Sequence, residues 1–126
     1  MANNKIKTPV PPGWFPMTLW RQDGARMHIN GRFSLFIYVN SDMGRLEWSL
    51  LHKLKKATTG AILIRDGVSD EFMEEALSKI MDTSVAYLKQ ATDMYKAGYV
   101  SLAALRENIR NAPKESPRPE DKEEIS

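Results

Sequence analysis

The stretch from residue 27 to residue 42, MHINGRFSLFIYVNSD, is the most apolar part of the chain. Because side chains alternate between the two faces of a strand, its spacing predicts a β-strand. One face carries Phe33, Leu35, Ile37 and Val39. The other face carries Phe36 and Tyr38, so the strand is apolar on both sides. The second face needs a cover, and we consider three: the N-terminal segment, a second copy of the chain, or a binding partner.

The flanking pattern predicts a small antiparallel meander. Residues 17–29, MTLWRQDGARMHI, indicate a short strand, a turn at Asp23-Gly24 and a second strand. Asn30-Gly31 favours a type I′ hairpin turn, because both central residues of that turn need positive φ. The strand RFSLFIYV then follows at residues 32–39, and NSDMG ends it.

Residues 45–57 fit two patterns. As a strand the segment alternates Leu46, Trp48 and Leu50, whereas as a helix it places Leu46, Leu50, Leu51, Leu54 and Ala57 on one side. Cationic side chains near its end and Gly60 beyond it suit a helix C-terminus, so a helix is favoured. A short strand near 61–66, in the sequence AILIRDG, is predicted next.

A long helix is predicted from Ser69 onward. Ser69 is a good N-cap, and Asp70 and Glu71 place negative charge in the first turn. Apolar residues recur at helical spacing as far as Tyr95, and Gly98 is the expected end. Ser101 is expected to cap a last helix that ends at Pro113.

The two ends differ from the middle. Residues 1–16 form an arm rich in proline that also holds Trp14 and Phe15, and we expect these rings to dock. Residues 113–126 are proline-rich and charged with one large apolar residue, which predicts a disordered tail. Residues 1–112 are therefore expected to form one α+β domain. In it a small antiparallel β meander, with the short strand near 61–66, packs against a long C-terminal helix and one or two shorter helices.

Composition narrows the functional class. The 126 residues suit a single domain and include no cysteine, which excludes disulfides and thiolate chemistry. No membrane span or signal peptide is evident, so we expect a cytoplasmic protein. Residues 1–66 hold ten Lys and Arg against four Asp and Glu, whereas residues 67–126 hold eight against twelve. This asymmetry indicates a polar partner surface or self-association, or an acidic tail that only keeps the chain soluble.

Candidate chemistry is sparse. The two histidines, His28 and His52, are 24 residues apart and lack carboxylates at ligand spacing, so no metal site is predicted. Ser69 and Ser101 are explained as helix caps, and neither a Gly-x-Ser-x-Gly elbow nor a phosphate-binding glycine loop is present. We therefore expect a protein that is not an enzyme and needs no cofactor.

Two binding functions remain. An excess of apolar β surface without a catalytic constellation favours a module that binds another protein, and the charge asymmetry also allows homodimer formation. Basic residues interleaved with aromatic rings offer the alternative of a nucleic-acid binder. The candidate surface for either partner comprises Arg21, Arg26, Arg32, Phe36, Tyr38, Arg45, Lys53, Lys55 and Lys56.

Three segments carry a resemblance. The strand INGRFSL, the helix DEFMEEALSKIM and the closing helix SLAALRENIRNA resemble small accessory proteins of temperate tailed phages and prophages of enterobacteria, over roughly residues 27–112. The proline- and tryptophan-rich arm and the long main helix depart from that pattern. The resemblance implies a protein of the bacterial cytoplasm that binds a host or phage macromolecule, for example to block a defence or replication enzyme. It assigns a role to no individual residue.

Overall fold

A computed structural model describes residues 6–90 and 95–111. One antiparallel sheet holds five strands in chain order: β1 (Phe15–Leu19), β2 (Gln22–His28), β3 (Phe33–Asn40), β4 (Arg45–His52) and β5 (Lys55–Leu63). Two helices follow, α1 (Asp70–Gln90) and α2 (Lys96–Asn111). The predicted α+β class, a β meander packed against a long helix, is confirmed.

Strand register assigns each side chain to one face of the sheet. Leu35 pairs with Leu50 and Ile37 with Trp48, so these four side chains share the face that we call the helix face. α1 adds Met73, Ala76, Ile80, Met81 and Leu88 to the same core. α2 packs mainly on α1. Neither of these two described helices is long and apolar enough to cross a membrane.

The helix favoured for residues 45–57 is wrong. β4 and the start of β5 occupy this segment, and β4 pairs with β3 along its whole length. The alternation of Leu46, Trp48 and Leu50 buries all three side chains on the helix face. Cross-strand pairing with an apolar neighbour outweighs the local preference for a helix. The short strand predicted near 61–66 is part of the longer β5.

The turn expected at Asp23-Gly24 lies instead at Trp20-Arg21. Both residues have positive φ, 51° and 65°, as a two-residue type I′ turn requires. Lys53-Leu54, between β4 and β5, has the same conformation. A left-handed backbone costs a non-glycine residue about 1–2 kcal/mol, so neither turn is specified by its own sequence. Gly24 is an interior residue of β2.

The hairpin predicted at Asn30-Gly31 is present, but its geometry differs. Neither residue has positive φ. Instead the Asn30 Oδ1 atom accepts hydrogen bonds from the amides of Arg32 (2.8 Å) and Phe33 (3.0 Å). Its Nδ2 atom donates to the Ser101 Oγ atom (3.1 Å), which ties the loop to α2. A side chain that bonds its own backbone replaces the positive φ of a type I′ turn.

The helix predictions are partly confirmed. The Ser69 Oγ atom accepts the Phe72 amide at 3.1 Å, as an N-cap does. Gly98 was expected to end the long helix and Ser101 to begin the last one, but both lie inside α2. Gly98 is required for packing, because a Cβ there would meet the Phe33 ring at 2.8 Å. The predicted tail from residue 113 and the first five residues of the arm lie outside the described residues.

The described part of the arm docks as expected. Trp14 is buried in the core on the helix face. The Thr8 Oγ1 atom accepts the Val39 amide (2.8 Å) and donates to the Asp23 carbonyl (3.1 Å). Pairing between β2 and β3 stops at Ala25, so this hydroxyl bridges the two strands where they separate.

We expect Gly24→Ala to be strongly destabilising. A Cβ at residue 24 would collide with the Ile37 carbonyl oxygen and would meet the Phe36 Cζ atom at 2.8 Å, and overpacking of this kind costs about 2–3 kcal/mol. Gly31→Ala is the matched control, because nothing lies within 4 Å of a Cβ there. Urea unfolding measures both variants. Equal free energies of unfolding would contradict the close approach of β2 to Phe36.

Candidate functional site

The part of the second face at Phe36 is covered from within the chain. Phe36 is only 1% exposed, and the Trp20 ring meets it edge-on with centroids 6.0 Å apart. Trp20 sits at the tip of the β1–β2 hairpin, and Gly24 of β2 lies against the Phe36 ring. Of the three covers considered, the N-terminal part of the chain therefore covers Phe36. The covering ring is Trp20, since Trp14 lies in the core of the helix face.

A groove of about 390 Å³ lies beside the hairpin tip, between Trp20 and strands β3, β4 and β5. We call it the hairpin groove and define it by Trp20, Tyr38, Arg45, Glu47 and Lys56. Register explains the grouping, since Tyr38 pairs with Glu47 and the β4 residues Arg45 and Glu47 are two positions apart on one face. The helices pack on the other face, so the groove stays open.

Glu47 is the electrostatic centre of the groove. Its Oε1 atom accepts the Tyr38 hydroxyl at 2.6 Å. Its Oε2 atom accepts Arg45 Nη2 at 2.8 Å and Asn40 Nδ2 at 3.1 Å. The bond from Tyr38 is the main reason that the pKa of Glu47 is lowered, although partial burial opposes it. Burial and then Glu47 raise the pKa of Tyr38 to about 12, so neutral pH keeps an ionised carboxylate beside a neutral phenol.

Trp20 forms the outer wall of the groove. It is 44% exposed, although one edge covers Phe36. The Lys56 Nζ atom lies 4.5 Å from the ring centroid, a cation–π contact that holds the hairpin tip against β5. A positive φ at Trp20 aims the ring at this position. The chain therefore keeps a large aromatic surface in water at the cost of a strained turn.

The structure divides the predicted surface. Tyr38, Arg45 and Lys56 meet in the hairpin groove, with Phe36 buried beneath them and Arg21 exposed at the hairpin tip.

The other predicted basic residues lie elsewhere. The Arg26 guanidinium is partly buried and donates to the Ser34 Oγ atom at 3.1 Å. Arg32 and Lys53 lie together at the opposite end of the sheet, where the Lys53 amide bonds the Arg32 carbonyl at 2.8 Å. Lys55 follows Lys53 and is exposed. The basic residues therefore form no single track across the described residues.

Glu47 and Trp20 are members of the groove that the predicted surface omits. Glu47 becomes visible only when residues 45–52 are assigned to a strand, because its partner Tyr38 is opposite it in β3. Trp20 falls in a turn that contains neither glycine nor asparagine, so no turn signal marks it. Assigning residues 45–52 to a strand was the one step at the level of the sequence that could have placed Glu47 beside Tyr38.

Other potential sites are weaker. Among the described residues, no group of three or more His, Asp or Glu side chains is arranged to hold a metal ion. His52 lies on the helix face among Phe33 and Tyr95, and burial is the main reason that its pKa is lowered. His28 is exposed and stacks on Phe15 at 5.3 Å. These rings have structural partners and no shared ligand position.

A larger groove of about 750 Å³ separates the arm from the β1–β2 hairpin. Lys7 and Arg21 on its walls are balanced by Asp23 and Asp42, and no aromatic ring lines it. Thr8 already uses its hydroxyl to hold the arm in place. This groove therefore lacks the aromatic and charged grouping of the hairpin groove.

Acid should weaken the Glu47 network. The pKa of the Glu47 carboxyl is lower in the folded protein than its usual value of 4.5. The ionised carboxylate therefore stabilises the fold fully well above pH 4.5, and this stabilisation is lost as the pH falls through the folded-state pKa. We expect Glu47→Gln to cost about 1 kcal/mol at pH 7 and progressively less as the pH is lowered from 4.5 towards 3.

Urea unfolding of wild type and variant across this pH range measures the difference. Glu75→Gln, at an exposed position of α1, is the control and should change little at either pH. A cost of Glu47→Gln that does not depend on pH would contradict an ionised Glu47 as the centre of the network.

Comparison with known proteins leaves the groove to be interpreted from its own geometry. No protein-family model, no curated protein and no solved structure matches this chain.

Proposed function

We propose that the protein acts without catalysis, by binding another protein through the hairpin groove. The observation that carries this proposal is the half-exposed Trp20, held at a strained turn above the Arg45–Glu47 ion pair. Tryptophan, tyrosine and arginine contribute most to the binding energy of protein interfaces. All three meet in this groove.

The charges of the groove indicate the partner's chemistry. Arg45 and Lys56 face a single carboxylate, Glu47, and Arg21 adds a further positive charge at the hairpin tip. An acidic segment with an aromatic or aliphatic anchor complements this arrangement, because the anchor can pack on Trp20 while its carboxylates meet the cations. The groove is open and largely polar, which suits a protein surface better than an enclosed small ligand.

The resemblance to phage and prophage accessory proteins supplies the biological setting of the proposal. In that setting the protein is made in the cytoplasm of a bacterial host, and its partner is a host or phage factor such as a defence or replication enzyme. Self-association as a homodimer is a separate proposal that concerns the outer edge of β5, which borders the groove at Thr59 and Ala61.

Nucleic-acid binding is the second candidate, and one observation favours it. Arg32 and Lys53 are brought side by side by the loop after β2 and the turn after β4, with Lys55 next along the chain. Their positive charge acts on a neighbouring group: burial is the main cause of the lowered pKa of His52, and Lys53 and Arg32 are the next two causes. Three cations at one end of the sheet supply the positive charge that phosphate binding needs, and this supports the second candidate.

Protein binding predicts that a photo-crosslinker at residue 20 captures the partner. We expect p-benzoylphenylalanine in place of Trp20 to give a discrete crosslinked product in bacterial lysate. The same probe at Val100 is the control, because Val100 is at least as exposed as Trp20 and lies on α2, a helix packed away from the groove.

The captured protein is then purified and its affinity measured against Trp20→Ser and Val100→Ser. Loss of an interface tryptophan should weaken binding by about 2 kcal/mol, which is about thirtyfold, and the Val100 variant should match the wild type. Crosslinking at both positions alike, or at neither, contradicts the groove as the binding site.

The nucleic-acid candidate predicts salt-sensitive binding. Fluorescence anisotropy with a labelled single-stranded oligonucleotide should show affinity falling steeply between 50 and 200 mM salt, because phosphate contacts release counterions. Arg32→Ala and Lys53→Ala should each lower the salt slope by about one, whereas Lys79→Ala, exposed on α1, should not. Binding that is absent, or insensitive to salt, excludes this candidate.

A further inference from the structure

The sheet has two edges, and backbone geometry determines which groups each edge exposes. In an antiparallel strand, the N–H and C=O of one residue point to the same neighbour and alternate along the chain. The Val39 amide bonds Thr8, so Val39 points away from β4. The Ile64 amide bonds the Gly44 carbonyl, so Ile64 points inward. By alternation, the groups of Thr59, Ala61 and Leu63 point out of the sheet along the edge of β5.

The β1 edge is blocked by its own sequence. Its outward-pointing residues are Pro16 and Thr18, since Phe15 and Met17 pair with Arg26 and Gly24 on the side that bonds β2. Proline has no N–H, so β1 offers one outward donor within its five residues. Proline on an edge strand is a common protection against unwanted pairing.

The β5 edge is protected only at its start. Two lysines, Lys55 and Lys56, lie there, and the register is irregular beside Ala57. Charged residues and bulges of this kind commonly prevent an edge strand from pairing with another chain. From Thr58 to Ile64 the strand has no charged residue and no proline. Among the described residues no strand pairs with this side of β5. An uncharged open edge of this length is a template for another strand.

We propose that a second copy of this chain occupies the edge, with the two β5 strands antiparallel about a twofold axis at Ala61. Two independent features have their centre at this residue: the outward-pointing set of Thr59, Ala61 and Leu63, and the uncharged run from Thr58 to Ile64. The pairing makes one continuous ten-stranded sheet. It stands whether or not the hairpin groove binds a partner.

Side-chain sizes match in this register. Leu63, 54% exposed in one copy, lies opposite Thr59 of the second copy. Ile62 lies opposite Gly60 of the second copy, where the Trp48 ring covers the backbone and leaves room for no Cβ. Ala61 meets Ala61. Each large side chain therefore faces a small residue, the complementarity that stabilises cross-strand pairs.

The charges also fit. At each end of the seam, Lys56 of one copy comes opposite Asp66 of the other, and Arg65 comes opposite the uncharged Ala57. Within the seam no like charges oppose one another. A partner strand displaced toward either end would bring charged residues into the uncharged run, which favours the register centred on Ala61.

The twofold axis can be tested with opposite charges at residue 61. Ala61 is exposed and pairs with Glu47 of the same copy, so Ala61→Lys sets an opposite charge and Ala61→Glu a like charge beside Glu47. Each variant also places two like charges directly opposite in the dimer, and urea unfolding of each variant separates this effect from the one within a single copy. Size-exclusion chromatography with light scattering should find the wild type dimeric. Each variant should dissociate at least about tenfold more readily, and an equimolar mixture of the two should regain the dimer.

A cysteine variant tests the register independently, because the chain has no other cysteine. Ala61→Cys should form a disulfide-linked dimer on mild oxidation, since directly opposite residues of an antiparallel pair have Cα atoms about 5.5 Å apart. Thr18→Cys, which points outward at the β1 edge, should remain monomeric after the same treatment. A wild type that stays monomeric at every concentration, or Lys and Glu variants that associate as it does, overturns the proposal.

Discussion

The fold depends on one close approach, that of Gly24 in β2 to the Ile37 carbonyl and the Phe36 ring of β3. β3 is apolar on both faces, and the helices cover only one of them. The β1–β2 hairpin must therefore bend across the other face, and it can do so only where β2 lacks a side chain. Beyond Ala25 the two strands separate, and the Thr8 hydroxyl bonds the backbone groups that the separation leaves unpaired.

The bend also creates the features that a partner can use. It carries Trp20 over the centre of the sheet, where Lys56 holds its ring and Tyr38, Glu47 and Arg45 lie beside it. Part of the Trp20 ring seals the core and the rest stays in water. The same residue is thus structural on one edge and available for binding on its face, so a test of function needs a stability measurement beside it.

The two edges of the sheet complete this division of roles. Pro16 closes β1 to further pairing, whereas β5 keeps an uncharged run whose outer side pairs with no strand in the described part of the chain. Apolar residues on the helix face continue past the end of β5, and Ile62 and Ile64 there are only partly covered. An added strand would therefore cover apolar surface as well as satisfy backbone groups, which is why pairing at this edge is energetically reasonable.

The groove could be predicted only in part. Tyr38, Arg45 and Lys56 were candidates because aromatic and basic residues interleave in the sequence. Their grouping depends on β4 being a strand, and the spacing of its leucines fits a helix equally well. Trp20 was outside the predicted surface, because its turn contains no glycine or asparagine that would mark it in the sequence. The positive φ of this turn is imposed by the strands on either side.

By itself the sequence determined the features that neighbouring residues decide. Alternation over residues 33–39 specifies β3, the hydroxyl of Ser69 specifies the start of α1, and Asn30 specifies a loop through bonds to its own backbone. Tertiary structure alone decided that residues 45–52 are a strand, that Gly98 packs on Phe33 inside a helix, and that Trp20 covers Phe36. Each of these depends on a residue distant in the chain, and the free energy of such a contact exists only once the sheet has formed.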